Sequence, residues 1–285
     1  MKHLISIGSI AVSSLALNFI AVGQVQAVNL VQNGGFQNGV ISSSNPGNTN
    51  GPVTTSAYLD SSVTLPGWTF STNSQNPSNG RKGFNFLVAS GSQFKTNLAA
   101  NNPCNPPFSG TCGGTAGLFG SNGQTVVAPD GSGWFIAADA FFDRGAINQT
   151  LTGLTSGSQY TVSFYQASGQ QQGQSLGFSE FWNVSFGGNT QTATVMTKTG
   201  AQPVSGWTQQ SLTFTANAAT QVLSFLAQAN NDVPPFALLS GVSVEAVPST
   251  SVPEPESYIG TLVGLGFIAT IVKSRLKKQK SAENN

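Results

Sequence analysis

Charged side chains are scarce in this chain. Only 7% of its 285 residues are Asp, Glu, Lys or Arg. A nucleic-acid surface needs clustered cations that displace counterions. Between Val28 and Thr250 there are five bases, Arg81, Lys82, Lys95, Arg144 and Lys198. Seven acids share the stretch: Asp60, Asp130, Asp139, Asp143, Glu180, Asp232 and Glu245, for a formal balance of minus two. That excludes DNA or RNA as the partner. Histidine is scarcer still, because His3 is the only one. If the first residues are removed, the remainder has no Ser-His-Asp or Cys-His chemistry and no His-ligated metal. No cofactor is implied.

The two ends carry the clearest patterns. Lys2 and His3 precede an apolar run from Leu4 to Val22, which ends at Val25-Gln26-Ala27. Basic, apolar and small-residue regions in that order make a signal-peptidase substrate, so residues 1–27 are expected to be removed. Near the other end, Ser257 to Val272 holds no charge, and Lys273, Arg275, Lys277, Lys278 and Lys280 follow. As a helix this segment would reach about 24 Å. With Lys273 and Lys277 snorkelling to the headgroups, it spans a bilayer. The cations then lie on the cytoplasmic side and the rest of the chain outside. The division expected is a signal peptide (1–27), one domain (28–247), a linker (248–257), a transmembrane helix (258–272) and a basic cytoplasmic tail (273–285).

The linker contains Val252-Pro253-Glu254-Pro255-Glu256. Its prolines keep it extended and accessible. Val252, Pro253, Glu254 and Pro255, followed by an apolar helix and a basic cluster, resemble a PEP-CTERM sorting signal. The resemblance covers about residues 252–280. It implies export in a bacterium that makes exopolysaccharide, and recognition by an exosortase, a membrane enzyme that processes near Pro253 to Pro255. It addresses the protein to the cell envelope or surface without saying what the middle does.

The middle reads as all-β. Tyr160, Val162 and Phe164 alternate with polar neighbours, and Trp182, Val184 and Phe186 share one face. Threonine-rich runs at 190–197 and 208–215 precede apolar alternation at 222–227 and 238–244. Turn clusters at 155–157, 187–189, 199–200 and 217–219 separate them. Strands of this length and spacing indicate a β-sandwich or jelly roll. Residues 71–133 read as long loops around short strands, one of them near Phe84 to Ala89. Cys104 and Cys112 enclose seven residues, and outside the cell a pair this close is most simply a disulfide.

Asn29 to Gln37 resembles the opening strand and turn of galactose-binding-like jelly-roll modules. Leu65-Pro66-Gly67-Trp68, Gly145 to Leu154 with Tyr160 to Phe164, and Ser240 to Val244 are similar to their later landmarks, in order. The resemblance implies the fold and admits sugar-binding, adhesive and structural roles alike. Calcium-binding members place acids where Gln37, Ser240 and Gly241 stand here, which leaves a hard cation poorly supplied with ligands.

Candidate ligand residues are Trp207, Asp139, Asp143 and Arg144. Trp207 has the opposite parity to Leu212 and Phe214, so it is expected to face away from the core and stack on a sugar. Asp139 and Asp143 read first as turn residues. They are also the nearest thing to the carboxylate pair of a glycoside hydrolase. The expected function is therefore that of a non-catalytic surface protein that touches polysaccharide. A purely structural or adhesive role and a glycan-active hydrolase are the alternatives.

Overall fold

A computed structural model describes residues 28–41, 51–52, 56–59, 63–72, 82–92, 95–98, 114–117, 125–142, 144–170, 176–200, 204–231 and 235–248. The expected signal peptide, sorting motif and transmembrane helix lie outside the described residues, as do Asp143, Cys104 and Cys112. Among the described residues no helix is long and apolar enough to cross a membrane.

The front of the chain forms short strands: β1 (Val40–Ile41), β2 (Gly51–Pro52), β3 (Ser56–Tyr58), β4 (Val63–Thr64), β5 (Thr69–Phe70), β6 (Asn85–Ala89), β7 (Lys95–Leu98) and β8 (Gly114–Gly117). Longer strands follow: β9 (Trp134–Asp139), β10 (Ile147–Thr152), β11 (Gln159–Gln170) and β12 (Phe178–Phe186). The last are β13 (Asn189–Thr192), β14 (Met196–Lys198), β15 (Thr208–Thr215), β16 (Thr220–Ala229) and β17 (Pro235–Ala246). Two antiparallel sheets dominate. One runs β13-β12-β16-β10-β5 with β14 also on β12, the other β15-β11-β17-β9-β6-β3.

Alternation in the sequence places the core between them. Phe178, Glu180, Trp182, Val184 and Phe186 are buried while their neighbours on β12 are half-exposed. Trp182, Val184, Leu223, Phe225, Ile147 and Leu151 of the first sheet share one cluster with Val162, Phe164, Leu239, Ile136 and Leu87 of the second. Trp182 is 0% exposed. Burying one such aromatic contributes on the order of 2–3 kcal/mol, which makes this row the main source of cohesion.

A bulge keeps the alternation of β17 in step. Ser163 pairs with Ser243 but Tyr165 pairs with Ser240, so β17 holds one extra residue. Gly241 supplies it at φ +59°. The extra residue reverses parity, so both Val242 and Leu239 reach the core; without it one half of the strand would turn inside out.

The second sheet also carries apolar residues on its outer face. Phe86, Val88, Phe135, Ala137, Ala167, Phe236 and Leu238 form a separate cluster, covered in part by Val126, Ala128, Val204 and Trp207. Here the expectation for Trp207 is corrected. Its parity does turn it away from the main core, but it is half-buried and meets Phe135 edge to face at 5.7 Å. A second apolar layer gives the outward indole a partner that strand parity alone does not reveal.

The opening segment is corrected too. Residues 32–35 form a turn and no strand is assigned between 28 and 39. It follows β17 through Leu30 N–H to Val244 O (2.9 Å) and Val242 N–H to Gly34 O (3.0 Å). Trp68 is buried as a loop anchor, its Nε1 donating to Asn33 O at 2.9 Å.

Candidate functional site

Asp139 ends β9 and is 4% exposed. Its Oδ1 accepts the backbone N–H of Phe141 at 2.8 Å and of Phe142 at 3.0 Å. This turn chemistry is the first reading of Asp139, and it organises the loop. Fixing both amides holds two adjacent rings, Phe141 and Phe142, edge to face with centroids 5.3 Å apart. Both are half-exposed. Sequence reasoning passed over them, although two consecutive phenylalanines just past a strand end are the kind of apolar step that a core does not require.

The three described candidates, Trp207, Asp139 and Arg144, do not form one site. Arg144 donates through Nη1 to Gln228 Oε1. Gln228 has the outward parity of β16, opposite to the core residues Phe225 and Ala227. Arg144 therefore joins the outer side of the first sheet, while Trp207 packs on the outer side of the second. Asp139 has the parity of Phe135 and Ala137, so it shares Trp207's side. Asp143 is outside the described residues, and with it the proposed carboxylate pair.

A polar group sits inside the sandwich at the end where β11 stops and β12 starts. Glu180, buried on β12, has no hydrogen-bond partner for either carboxyl oxygen, and Ser168 Oγ and Gln166 Oε1 are likewise unpartnered. Burial pushes the Glu180 carboxyl well above the ordinary range. The Ser168 hydroxyl, Lys198 and the Gly169 backbone pull the other way, and Asp139 adds to the rise. Ser168 and Gly169 face the carboxyl without closing a bond of ordinary geometry. Lys198 is lowered by burial, and the nearby Glu180 opposes that. Register explains their proximity: Glu180 pairs with Met196 and Phe178 with Lys198, so Glu180 and Lys198 are diagonal neighbours on one face. Both acids near this end, Glu180 and Asp139, are buried, and Asp139 Oδ1 is committed to the loop.

The three positions where calcium-binding members carry acids meet around Asp130. Its Oδ1 accepts from Ser132 Oγ and Ser240 Oγ, each at 2.9 Å. Gln37 Nε2 donates to Ser132 O at 2.8 Å. A Cβ on Gly241 would stand 2.9 Å from Asp130 Cβ. One carboxylate whose oxygen is already taken by two hydroxyls, beside an amide that donates, does not fit a hard cation. Hydrogen bonds clip the loop to the bulge instead.

A family model described as "Protein of unknown function (DUF642)" matches residues 121–239, less than half of the chain. No curated protein matches. Among solved structures, the chain is similar to the sugar-binding EclA C-terminal domain at 18% identity and a TM-score of 0.27, covering 34% of this chain and 64% of that one. The chain thus spans just under two thirds of that relative. A cyclase from Fischerella sp. TAU matches at 16% identity and a TM-score of 0.38, over 79% of this chain and all 100% of that one. The CBM22-1 xylan-binding domain of Paenibacillus barcinonensis Xyn10C matches at 12% identity and a TM-score of 0.27, over 57% and 87%. Similarity this distant assigns no function, and the reading that follows rests on the residues.

Proposed function

We propose that this chain is an exported envelope protein whose sandwich holds neutral polysaccharide weakly and does no chemistry on it. The observation that carries the reading is the Phe141–Phe142 step. Two half-exposed rings are fixed at the sandwich end by a buried carboxylate. Apolar ring faces are what sugar rings stack on, and rings held in place in advance lose little entropy on binding. Trp207 adds a third half-exposed ring on the side to which Asp139 belongs. The PEP-CTERM resemblance supports the address: signal peptidase, then an exosortase, act on the ends, and exopolysaccharide is the ligand at hand. Sugars exchange hydrogen bonds with water at little gain, so each contact nets about 1 kcal/mol and the affinity falls between millimolar and micromolar.

A glycan array probed with the soluble chain from Val28 to Val247 tests this. Wild type should retain neutral glycans. Replacing Phe141 and Phe142 with alanine should lower affinity by about tenfold, the equivalent of about 1.4 kcal/mol. Trp207→Ala should weaken binding as well, and should also cost about 1–3 kcal/mol of stability through lost packing on Phe135. Absence of binding to every glycan would replace this reading with a structural or adhesive one. Glycan hydrolysis that disappears with Asp139→Asn would make the protein an enzyme.

A further inference from the structure

The outer face of the β13-β12-β16-β10-β5 sheet carries a pattern that the function above does not use. Thr190 pairs with Ser185, Ser185 with Ser224, Ser224 with Asn148, and Asn148 with Thr69. These five residues form one row across five strands, on the side opposite to Val184, Phe186, Phe225 and Ile147 of the core. At about 4.8 Å per strand the row is about 19 Å long. Parallel rows flank it. Thr192, Asn183 and Leu226 are in register on one side, Val222 with Thr150 and Thr220 with Thr152 on the other.

Every outward position in these rows is a hydroxyl, an amide or an aliphatic side chain. Among the described residues the only ion at the face is Arg144, and its guanidinium is turned to Gln228. Hydroxyls and amides both donate and accept, as sugar hydroxyls do. Leu226 and the exposed Val222 add apolar surface between them. Among the described residues, little charge has to be stripped of water for a neutral surface to approach, whereas an acidic polymer finds only Arg144, already turned to Gln228, to pair with. The sheet fixes the spacing in advance, and breadth in two directions suits several chains lying side by side better than one chain end.

We infer that this face is a second glycan contact, taking the surface of a packed, uncharged polysaccharide. The inference rests on the glycan-binding reading above and differs from it in place and in the form of the ligand. Co-sedimentation of the full-length chain with insoluble neutral glucan particles, and with particles of an acidic polysaccharide, tests it. Wild type should sediment with the neutral particles only. Ser224→Arg, at the centre of the row, should reduce the bound fraction about tenfold by forcing an unpaired charge against the glycan. Thr150→Arg, on an exposed position, should do the same and guards against a folding defect at Ser224, with thermal unfolding checked for both. Soluble-oligosaccharide binding at Phe141 and Phe142 should be unchanged in both variants. Sedimentation of both variants at the wild-type level, or equal binding of wild type to acidic particles, overturns the inference while leaving the first site standing. If wild type binds no glycan in either form, both readings fall.

Discussion

At the scale of single residues, the main tension is the carboxyl of Glu180. It is 0% exposed and neither oxygen is hydrogen-bonded. Burial disfavours the charged form, so the folded protein keeps a proton that the unfolded chain releases. The sign follows from linkage. A raised carboxyl pKa lowers stability as pH climbs from the unfolded value near 4.5 toward the folded one, and the loss is absent in acid. Glu180→Gln removes the titration while keeping the shape. It is expected to stabilise the protein at pH 7 and to have little effect at pH 4, because only the charged form is penalised. Urea unfolding at the two pH values checks this; a variant less stable than wild type at pH 7 would show that the carboxylate has a favourable partner. The alternation of β12 announces that position 180 is inside, but not that the acid there lacks a hydrogen bond, because that depends on Ser168 of the other sheet and on Lys198 of β14.

At the scale of elements, register is set by a few backbone devices. Gly187 and Gly188 take φ of +57° and +90° and close the β12–β13 hairpin. The bulge at Gly241 determines which half of β17 faces which layer. An alanine there would have to adopt φ near +59° with its Cβ 2.9 Å from Asp130 Cβ and 3.0 Å from Tyr165 Cδ2. Strain and overlap together should cost about 1–3 kcal/mol. The urea midpoint of Gly241→Ala should fall accordingly, and an unchanged midpoint would mean that the strand re-registers without penalty. The strands from β11 onward were legible from alternation, apart from the division of 190–197 into β13 and β14, and most turns from their glycines, whereas β9 was not. The bulge was not, because Ser-Gly within an alternating run reads equally well as a regular strand.

At the scale of the whole molecule, we propose that the tail and the cysteine pair decide how the domain is held and where. Mass spectrometry of unreduced protein recovered from the cell surface reads both. The chain should begin at Val28, lack the Lys277-Lys278 peptide, and carry a Cys104–Cys112 bond. So small a loop adds only about 2–3 kcal/mol, so its reduction should loosen the loop and leave the sandwich folded. Alkylation of both thiols without reduction, or a retained basic terminus on most of the surface protein, would count against these expectations.

The sequence by itself determined the all-β class and the core rows of the longer strands. Alternation with a period of two fixes which side chains must leave water, and Trp182, Val184, Phe186, Val162 and Phe164 followed it. It also gave the correct parity for Trp207 and the turn role of Asp139, because both are local. Tertiary structure alone decided what each meets. Trp207 gained a ring partner from β9, Arg144 went to the opposite sheet, and Glu180 was set facing Ser168 across the sandwich. Those outcomes depend on pairing between strands far apart in the chain, which local pattern does not encode. The same is true of the row from Thr190 to Thr69, which exists only because five strands fall into register.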